Sequence, residues 1–115
     1  MTHEEDQIQI ACVNWFNLQY PKLALLLHHS PNGGKRTRFE AIQFKRMGTR
    51  AGFPDLILCF PSKDYHALFV ELKTEKGRQQ PSQIMMQRAL EWAGYKYVIC
   101  RSLDDFMKEV QSYFC

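Results

Sequence analysis

Asp55, Glu71 and Lys73 are residues that could do chemistry together, because each stands next to a short apolar run. The run from Leu56 to Phe60 follows Asp55, and the run from His66 to Val70 precedes Glu71. Runs of this length, rich in apolar residues and bounded by Pro and Ser, are typical of buried strands. The connection between them is short enough for a hairpin, so the three charged side chains should meet at its open end.

The pairing of these two predicted strands follows from counting outward from the connection. Antiparallel pairing across the loop places Ile57 opposite Phe69 and Asp55 opposite Glu71, on one face of the hairpin. Lys73 shares that face because side chains alternate along a strand. Opposed like charges destabilise a strand pair, and a divalent cation with oxygen ligands is the simplest group to place between them. The alternative is that the charges are simply solvated at the strand ends.

A first helix is predicted from Thr2 to Tyr20, ended by Pro21, with Thr2 as its N-cap. Three acidic residues fall in its first turn, where the helix dipole favours negative charge. Glu5 lies at the edge of the apolar stripe and could face inward, or it could only decorate the helix start. The stripe consists of Ile8, Cys12, Trp15 and Phe16.

A first strand is predicted from Leu23 to His29, followed by a turn at Pro31-Asn32-Gly33-Gly34. His28 and His29 alternate in direction, so at most one of them faces a given site. The turn is either a plain surface loop or a place where glycine lets a nucleic-acid strand approach the backbone.

The second predicted helix, Lys35 to Met47, carries the densest basic cluster of the chain. Six of the fifteen Lys and Arg residues fall within the sixteen positions from 35 to 50. This cluster is either a solvated helix face or a surface that neutralises phosphates, which drives nucleic-acid affinity. The six residues are Lys35, Arg36, Arg38, Lys45, Arg46 and Arg50.

A third helix opens near Pro81 and ends at Gly94, with Gln83 in its first turn close in sequence to Lys73. Tyr95 to Cys100 is predicted as the last strand, and Leu103 to Phe114 as the last helix. The order is therefore α-β-α-β-β-α-β-α. A hairpin followed by a strand-helix-strand crossover predicts an α/β fold with a mixed sheet flanked by helices.

Length and composition limit the classes of protein. A chain of 115 residues predicts one domain, 1–115, and a net charge of +3 allows a polyanionic partner without requiring one. The spacing of the four cysteines is not that of metal ligands; they are Cys12, Cys59, Cys100 and Cys115. The sequence contains no apolar span long enough to predict a membrane segment. A reducing cytoplasm is the expected location.

The pattern Pro54-Asp55, a gap, then Glu71-Leu72-Lys73 resembles the PD-(D/E)xK nuclease signature. The chain also contains further motifs in the order in which the VRR-NUC family has them. Over nearly its whole length, the chain resembles a stand-alone VRR-NUC domain. These motifs are Glu5-x-x-Ile8-Gln9, His29-Ser30-Pro31-Asn32, Lys45-Arg46-Met47-Gly48, Ala51-Gly52-Phe53-Pro54-Asp55-Leu56, Glu71-Leu72-Lys73, Ser82-Gln83 and Gly94-Tyr95.

The resemblance implies a restriction-endonuclease-like fold and a DNA nuclease that depends on Mg²⁺ or Mn²⁺. It implies that Asp55, Glu71 and the Leu72 carbonyl are metal ligands, with Glu5 as the helical acid of the site. Glu4 would take that place after a shift of one residue. Lys73 would be the catalytic lysine, and Gln83 the helix glutamine near the site.

Small proteins of this family resemble Holliday-junction resolvases, so we expect a homodimer that nicks four-way DNA junctions. A symmetric dimer would present two sites to a two-fold symmetric substrate. One alternative is a nuclease for flaps or other branched DNA. Others are a DNA-binding module of the same fold that does not cut, and an α/β interaction domain with solvated charges. A phage or bacterial origin is compatible with a nuclease of this size.

Overall fold

The chain forms a four-stranded mixed sheet flanked by helices, in a computed structural model that describes residues 3–31 and 36–115. The sheet order is β1-β2-β3-β4, in which β1, β2 and β3 pair antiparallel and β4 pairs parallel to β3. This confirms the predicted α/β fold class. The strands are β1 (Leu27–His29), β2 (Leu56–Leu58), β3 (Leu68–Leu72) and β4 (Lys96–Cys100).

Four α-helices occur in the described part of the chain, in the predicted order relative to the strands. No helix there is both long and apolar enough to span a bilayer. The predicted N-cap Thr2 and residues 32–35, which include most of the predicted turn and Lys35, lie outside the described residues. The helices are α1 (His3–Gln19), α2 (Arg38–Arg46), α3 (Pro81–Trp92) and α4 (Leu103–Phe114).

The predicted hairpin register is confirmed, because Ile57 pairs with Phe69 across β2 and β3. β2 starts at the predicted residue but is shorter than the predicted run, and β3 lies two residues later than its predicted run. β2 ends at Leu58, since Pro61 lacks an N–H and the hydroxyl of Ser62 accepts from the backbone N–H of Tyr65, which closes a turn. β3 reaches Leu72 because its pairing with β4 continues to that residue.

The first predicted strand is wrong over its first half. Residues Pro21–Leu26 form a 3₁₀ helix, and only Leu27–His29 join the sheet. Proline fixes a helical φ at the first position, and the Leu23 N–H donates to the Tyr20 carbonyl at 2.9 Å to start the turn. The apolar content of this segment serves packing, since Leu23 and Leu26 contact the core.

One face of the sheet makes the apolar core with α1 and α4. Alternate residues of β2, β3 and β4 point into it, and each is nearly or completely buried. The residues between them, including Glu71 and Tyr97, belong to the opposite face. The core consists of Cys12, Phe16, Leu56, Leu58, Leu68, Val70, Leu72, Val98, Cys100, Phe106, Val110 and Tyr113.

Candidate active site

Asp55 lies just before β2 and is tied to the neighbouring strands by both its backbone and its side chain. Its Oδ2 accepts the backbone N–H of Leu72 at 2.7 Å. Its carbonyl oxygen lies 2.9 Å from Nδ1 of His29 and accepts the Ser30 N–H at 3.2 Å. These contacts hold the Asp55 carboxylate against the end of β3, next to Glu71.

Glu71 is a charged residue in the middle of the sheet, with only 1% of its surface exposed. Its Oε1 accepts from the hydroxyl of Tyr97 and from Nε2 of Gln79. Its Oε2 is buried and has no hydrogen-bond partner among the described residues, although Lys73 Nζ lies 3.8 Å away. Lys73 is itself buried to 8% exposure, so Oε2 and the ammonium group share a largely dry space.

The carboxylates of this region repel one another. Burial raises the pKa of Asp55, and the charges of Glu5 and Glu71 raise it further. The Leu72 N–H and the nearby His29 act in the opposite direction on the pKa of Asp55 without reversing the shift. Glu5 and Glu71 therefore both act on Asp55 electrostatically, and a cation beside Asp55 would relieve this repulsion.

Of the two candidates for the helical acid, Glu5 rather than Glu4 interacts electrostatically with Asp55, and its role in the site stays a prediction. Glu5 is half-buried and its charge acts on Asp55, whereas Glu4 is exposed. One turn further along α1, Gln9 is 9% exposed, and its Oε1 has no hydrogen-bond partner among the described residues.

Gly52 brings the loop before Asp55 against the start of α3. It has a φ of +80°, and a Cβ atom added there would lie 2.5 Å from the backbone carbon and oxygen of Ser82. Gln83 follows at once, and its side-chain oxygen accepts the backbone N–H of Gln80 at 2.7 Å. Gln83 therefore lies beside the loop that leads to Asp55, and its Oε1 closes the first turn of α3.

The loop that follows Lys73 is held by the side chain of Arg101, which comes directly after β4. Nη1 of Arg101 donates to the carbonyl oxygens of Thr74 at 2.8 Å, Glu75 at 3.2 Å and Gly77 at 2.6 Å. Gly77 in turn is close to the stem of Lys73, since a Cβ atom there would lie 3.4 Å from Lys73 Cδ. Arg101 thus fixes the backbone around the lysine.

The described part of the basic segment, residues 36–50, is on the surface. Every residue from 36 to 50 is exposed, and α2 buries none of its side chains. The helix begins with a capping box, in which the hydroxyl of Thr37 accepts from the Glu40 N–H at 3.1 Å. The guanidinium carbon of Arg36 lies 4.2 Å from the centre of the Phe44 ring. Arg38, Lys45, Arg46 and Arg50 are also exposed.

Comparison with known proteins connects this arrangement to a family. The model of the VRR-NUC domain matches residues 2–104. The chain belongs to the VRR-NUC family. A solved structure named "VRR_NUC domain protein" is similar to it at 33% identity and a TM-score of 0.85, over 98% of this chain and 89% of the other.

A second solved structure, named "VRR_NUC domain", shares the fold at 18% identity and a TM-score of 0.62. It covers 98% of this chain and 100% of its own. No curated protein matches the chain. VRR-NUC domains are nuclease domains, so membership indicates a hydrolase that acts on DNA. Nucleases of this family typically depend on a divalent metal.

The residues of this VRR-NUC site fit such a metal. Glu71 offers a buried oxygen that has no hydrogen-bond partner among the described residues, and Asp55 offers a carboxylate crowded by other acids. Among residues 3–31 and 36–115, no three His, Cys, Asp or Glu side chains are arranged to hold a metal ion. Two carboxylates completed by a backbone carbonyl and water suit Mg²⁺ or Mn²⁺ better than Zn²⁺. The ligand role of Glu5 stays a prediction.

Tyr97 and Gln79 are contacts of the VRR-NUC site that the sequence did not single out. Both donate to Glu71, one from β4 and one from the loop before α3. The alternation of β4 predicts that Tyr97 faces away from Val98. Only the parallel register, which pairs Phe69 with Tyr97, shows that this direction leads to Glu71.

Proposed function

We propose that this VRR-NUC domain is a metal-dependent endonuclease that hydrolyses DNA phosphodiester bonds at Asp55, Glu71 and Lys73. The main observation in support is the buried Oε2 of Glu71, which has no hydrogen-bond partner among the described residues and lies 3.8 Å from Lys73 Nζ. A buried carboxylate oxygen without a donor is costly unless a cation or a ligand approaches it. Lys73 Nζ is too far from this oxygen for a hydrogen bond, whereas a bound divalent metal would coordinate it directly.

The metal would be Mg²⁺ or Mn²⁺, held by Asp55, Glu71 and the Leu72 carbonyl, with Glu5 as an additional acid. A divalent cation bound there supplies charge against the phosphate and lowers the pKa of a water. The Leu72 N–H keeps Asp55 Oδ2 directed at the end of β3, which orients the carboxylate. Tyr97 and Gln79 bind Glu71 from the opposite side.

Lys73 is the catalytic lysine in this proposal. Its side chain is only 10% exposed, so its charge acts in a space with little water. There it can donate to a phosphate oxygen and stabilise the charge that develops during attack by water. Gln83, whose Oε1 caps α3, would use its amide N–H groups to orient a water or a phosphate.

DNA would approach along the basic segment. The exposed cations of residues 36–50 form a surface that can neutralise several phosphates, and Lys35 would extend it. Replacing Lys45 with Gln should weaken DNA binding at every sequence. It should also reduce the slope of log K against log salt by about 0.9 for each phosphate that is no longer neutralised. An unchanged slope for Lys45→Gln would remove Lys45 from the DNA interface.

The substrate we propose is the four-way junction, cut by a homodimer. Two copies related by two-fold symmetry would present two sites to a substrate with the same symmetry. Large apolar side chains stand exposed on and just after α2, which supports a partner surface: Phe39 is 76% exposed, Ile42 52% and Met47 72%.

Sedimentation of Phe39→Glu tests the dimer, with Trp92→Glu as the matched control. Both changes replace a large exposed apolar side chain, since Trp92 is 89% exposed on α3. We expect the intact protein and Trp92→Glu to sediment as dimers and Phe39→Glu as a monomer. A monomeric intact protein, or a dimer that survives Phe39→Glu, would contradict the proposed interface.

Cleavage of a labelled four-way junction, beside linear duplex and flap DNA, tests the function. Each substrate is incubated with Mg²⁺, Mn²⁺ or EDTA, using the intact protein and Lys73→Ala. Symmetric metal-dependent nicking of the junction, lost in Lys73→Ala, is the expected result. Cleavage of flaps alone would overturn the junction but keep the active site. Junction binding without any cleavage would indicate a binding module instead.

A further inference from the structure

The two oxygens of Glu71 have different surroundings, and this difference carries an inference about the site. Oε1 accepts from the Tyr97 hydroxyl and from Gln79 Nε2 at 3.2 Å. Oε2 is equally buried but has no hydrogen-bond partner in the part of the chain that the structure describes. A carboxylate that is so unevenly bound presents one oxygen, not two, to an approaching cation.

The two donors are themselves held in place. Tyr97 is 5% exposed on β4, whose parallel pairing with β3 sets the Tyr97 hydroxyl beside Glu71. The Gln79 amide also donates to Oε1 of Gln87 at 2.8 Å, which links it to α3. Gln87 continues to Glu91 with a contact of 3.4 Å. Strand and helix therefore both fix the orientation of the Glu71 carboxylate.

We propose that Tyr97 and Gln79 are positioning residues, which occupy Oε1 of Glu71 and leave Oε2 as the single oxygen that binds the divalent cation. The inference rests on the metal-dependent function proposed above. A ligand bound through one oxygen leaves more positions for water and phosphate, which Mg²⁺ retains when proteins bind it. Neither residue touches the cation in this arrangement. They act through Glu71 by fixing its rotamer and its choice of oxygen.

Two variants test the inference, and a third serves as the control. Tyr97→Phe removes only the hydroxyl that binds Glu71, and Gln79→Met removes the amide while keeping the length of the side chain. Tyr113→Phe removes a comparable hydroxyl that donates to the Phe60 carbonyl at 2.7 Å instead. The measurement is calorimetric titration of each folded protein with Mn²⁺ in the absence of DNA. The Mn²⁺ concentration for half-maximal nicking is a second readout.

We expect Tyr97→Phe and Gln79→Met each to weaken Mn²⁺ binding by about tenfold or more, as loss of such outer partners does at other metal sites. Tyr113→Phe should bind Mn²⁺ like the intact protein. Unchanged Mn²⁺ affinity in both test variants would overturn the inference. If Tyr97→Phe does not fold, Gln79→Met decides alone, since Gln79 is only half-buried.

Asp55→Asn separates failure of this inference from failure of the proposed function. Loss of Mn²⁺ binding in Asp55→Asn, with full binding in Tyr97→Phe and Gln79→Met, would keep the metal site and reject the positioning role. Unchanged Mn²⁺ binding in Asp55→Asn would place the metal elsewhere. That result would overturn the proposed function together with the inference.

Discussion

Gly52→Ala should force apart the loop that leads to Asp55 and the first turn of α3. A Cβ atom at position 52 would lie 2.5 Å from the backbone carbon and oxygen of Ser82 and 2.8 Å from the nitrogen of Gln83. These are backbone atoms of a helix start, so they cannot turn aside as a flexible side chain would. The φ of +80° adds strain for any residue with a side chain.

Gly48→Ala separates the two effects and makes the magnitude testable. Gly48 also has a positive φ, +108°, but a Cβ atom there would have no heavy atom within 4 Å. The strain of a positive φ should lower the free energy of unfolding by about 1–2 kcal/mol in either variant. The clash with the backbone of α3, which occurs only in Gly52→Ala, should lower it by about 1–3 kcal/mol more. We therefore expect the free energy of unfolding to fall by about 2–5 kcal/mol in Gly52→Ala.

Thermal and urea denaturation of the two variants would measure this difference. For a chain of this size each kcal/mol lowers Tm by roughly 4 °C, so Gly52→Ala should melt about 4–12 °C below Gly48→Ala. Nicking by folded Gly52→Ala should slow by about a hundredfold, because displacement of a reacting group by about 1 Å has that effect. Equal stability of Gly52→Ala and Gly48→Ala would refute the packing of the loop on α3.

Three further predictions concern charge, a half-buried guanidinium and a helix cap. The pKa of Asp55 is raised on folding, so the contribution of Asp55 to stability is largest at acid pH and is lost as pH rises through the raised pKa. Asp55→Asn should abolish cleavage. In EDTA, Asp55→Asn should also raise the free energy of unfolding, and by more at pH 7 than at pH 4. An equal difference at both pH values would contradict this. Arg101→Lys should lower the free energy of unfolding in urea by about 1–3 kcal/mol, because an ammonium group cannot reproduce the hydrogen bonds to three carbonyls. An unchanged urea midpoint would contradict this. Thr37→Ala should destabilise α2 by about 1 kcal/mol, and it should weaken DNA binding measured by fluorescence anisotropy. The free energy of global unfolding should change by less than about 0.5 kcal/mol, because α2 buries no side chain. A large loss of global stability would show that α2 packs on the body.

The convergence of Asp55 and Glu71 was predictable because antiparallel register follows from counting. One residue pair fixes all the others, and the pairing of Ile57 with Phe69 is the predicted one. Neither the earlier end of β2 nor the later end of β3 changes this count. The side-chain period of two then places Asp55, Glu71 and Lys73 on one face.

The surroundings of Glu71 could not be predicted, because they depend on a parallel strand pair. Parallel partners are joined by a crossover, so no loop fixes their register in the sequence. Tyr97 reaches Glu71 only because Phe69 pairs with Tyr97. The 3₁₀ helix at Pro21–Leu26 was missed for a different reason, since a short apolar run has no period that distinguishes it from a strand.

Nicking of a four-way junction by Glu71→Gln tests the central claim most directly. The substitution keeps the shape of a residue that is 1% exposed and removes its charge, so it separates chemistry from folding. Circular dichroism and Tm would first establish that the variant is folded. We predict that the intact protein nicks the junction in Mg²⁺ and that folded Glu71→Gln does so at least about a hundredfold more slowly. Nicking by Glu71→Gln at the rate of the intact protein would contradict the proposed active site.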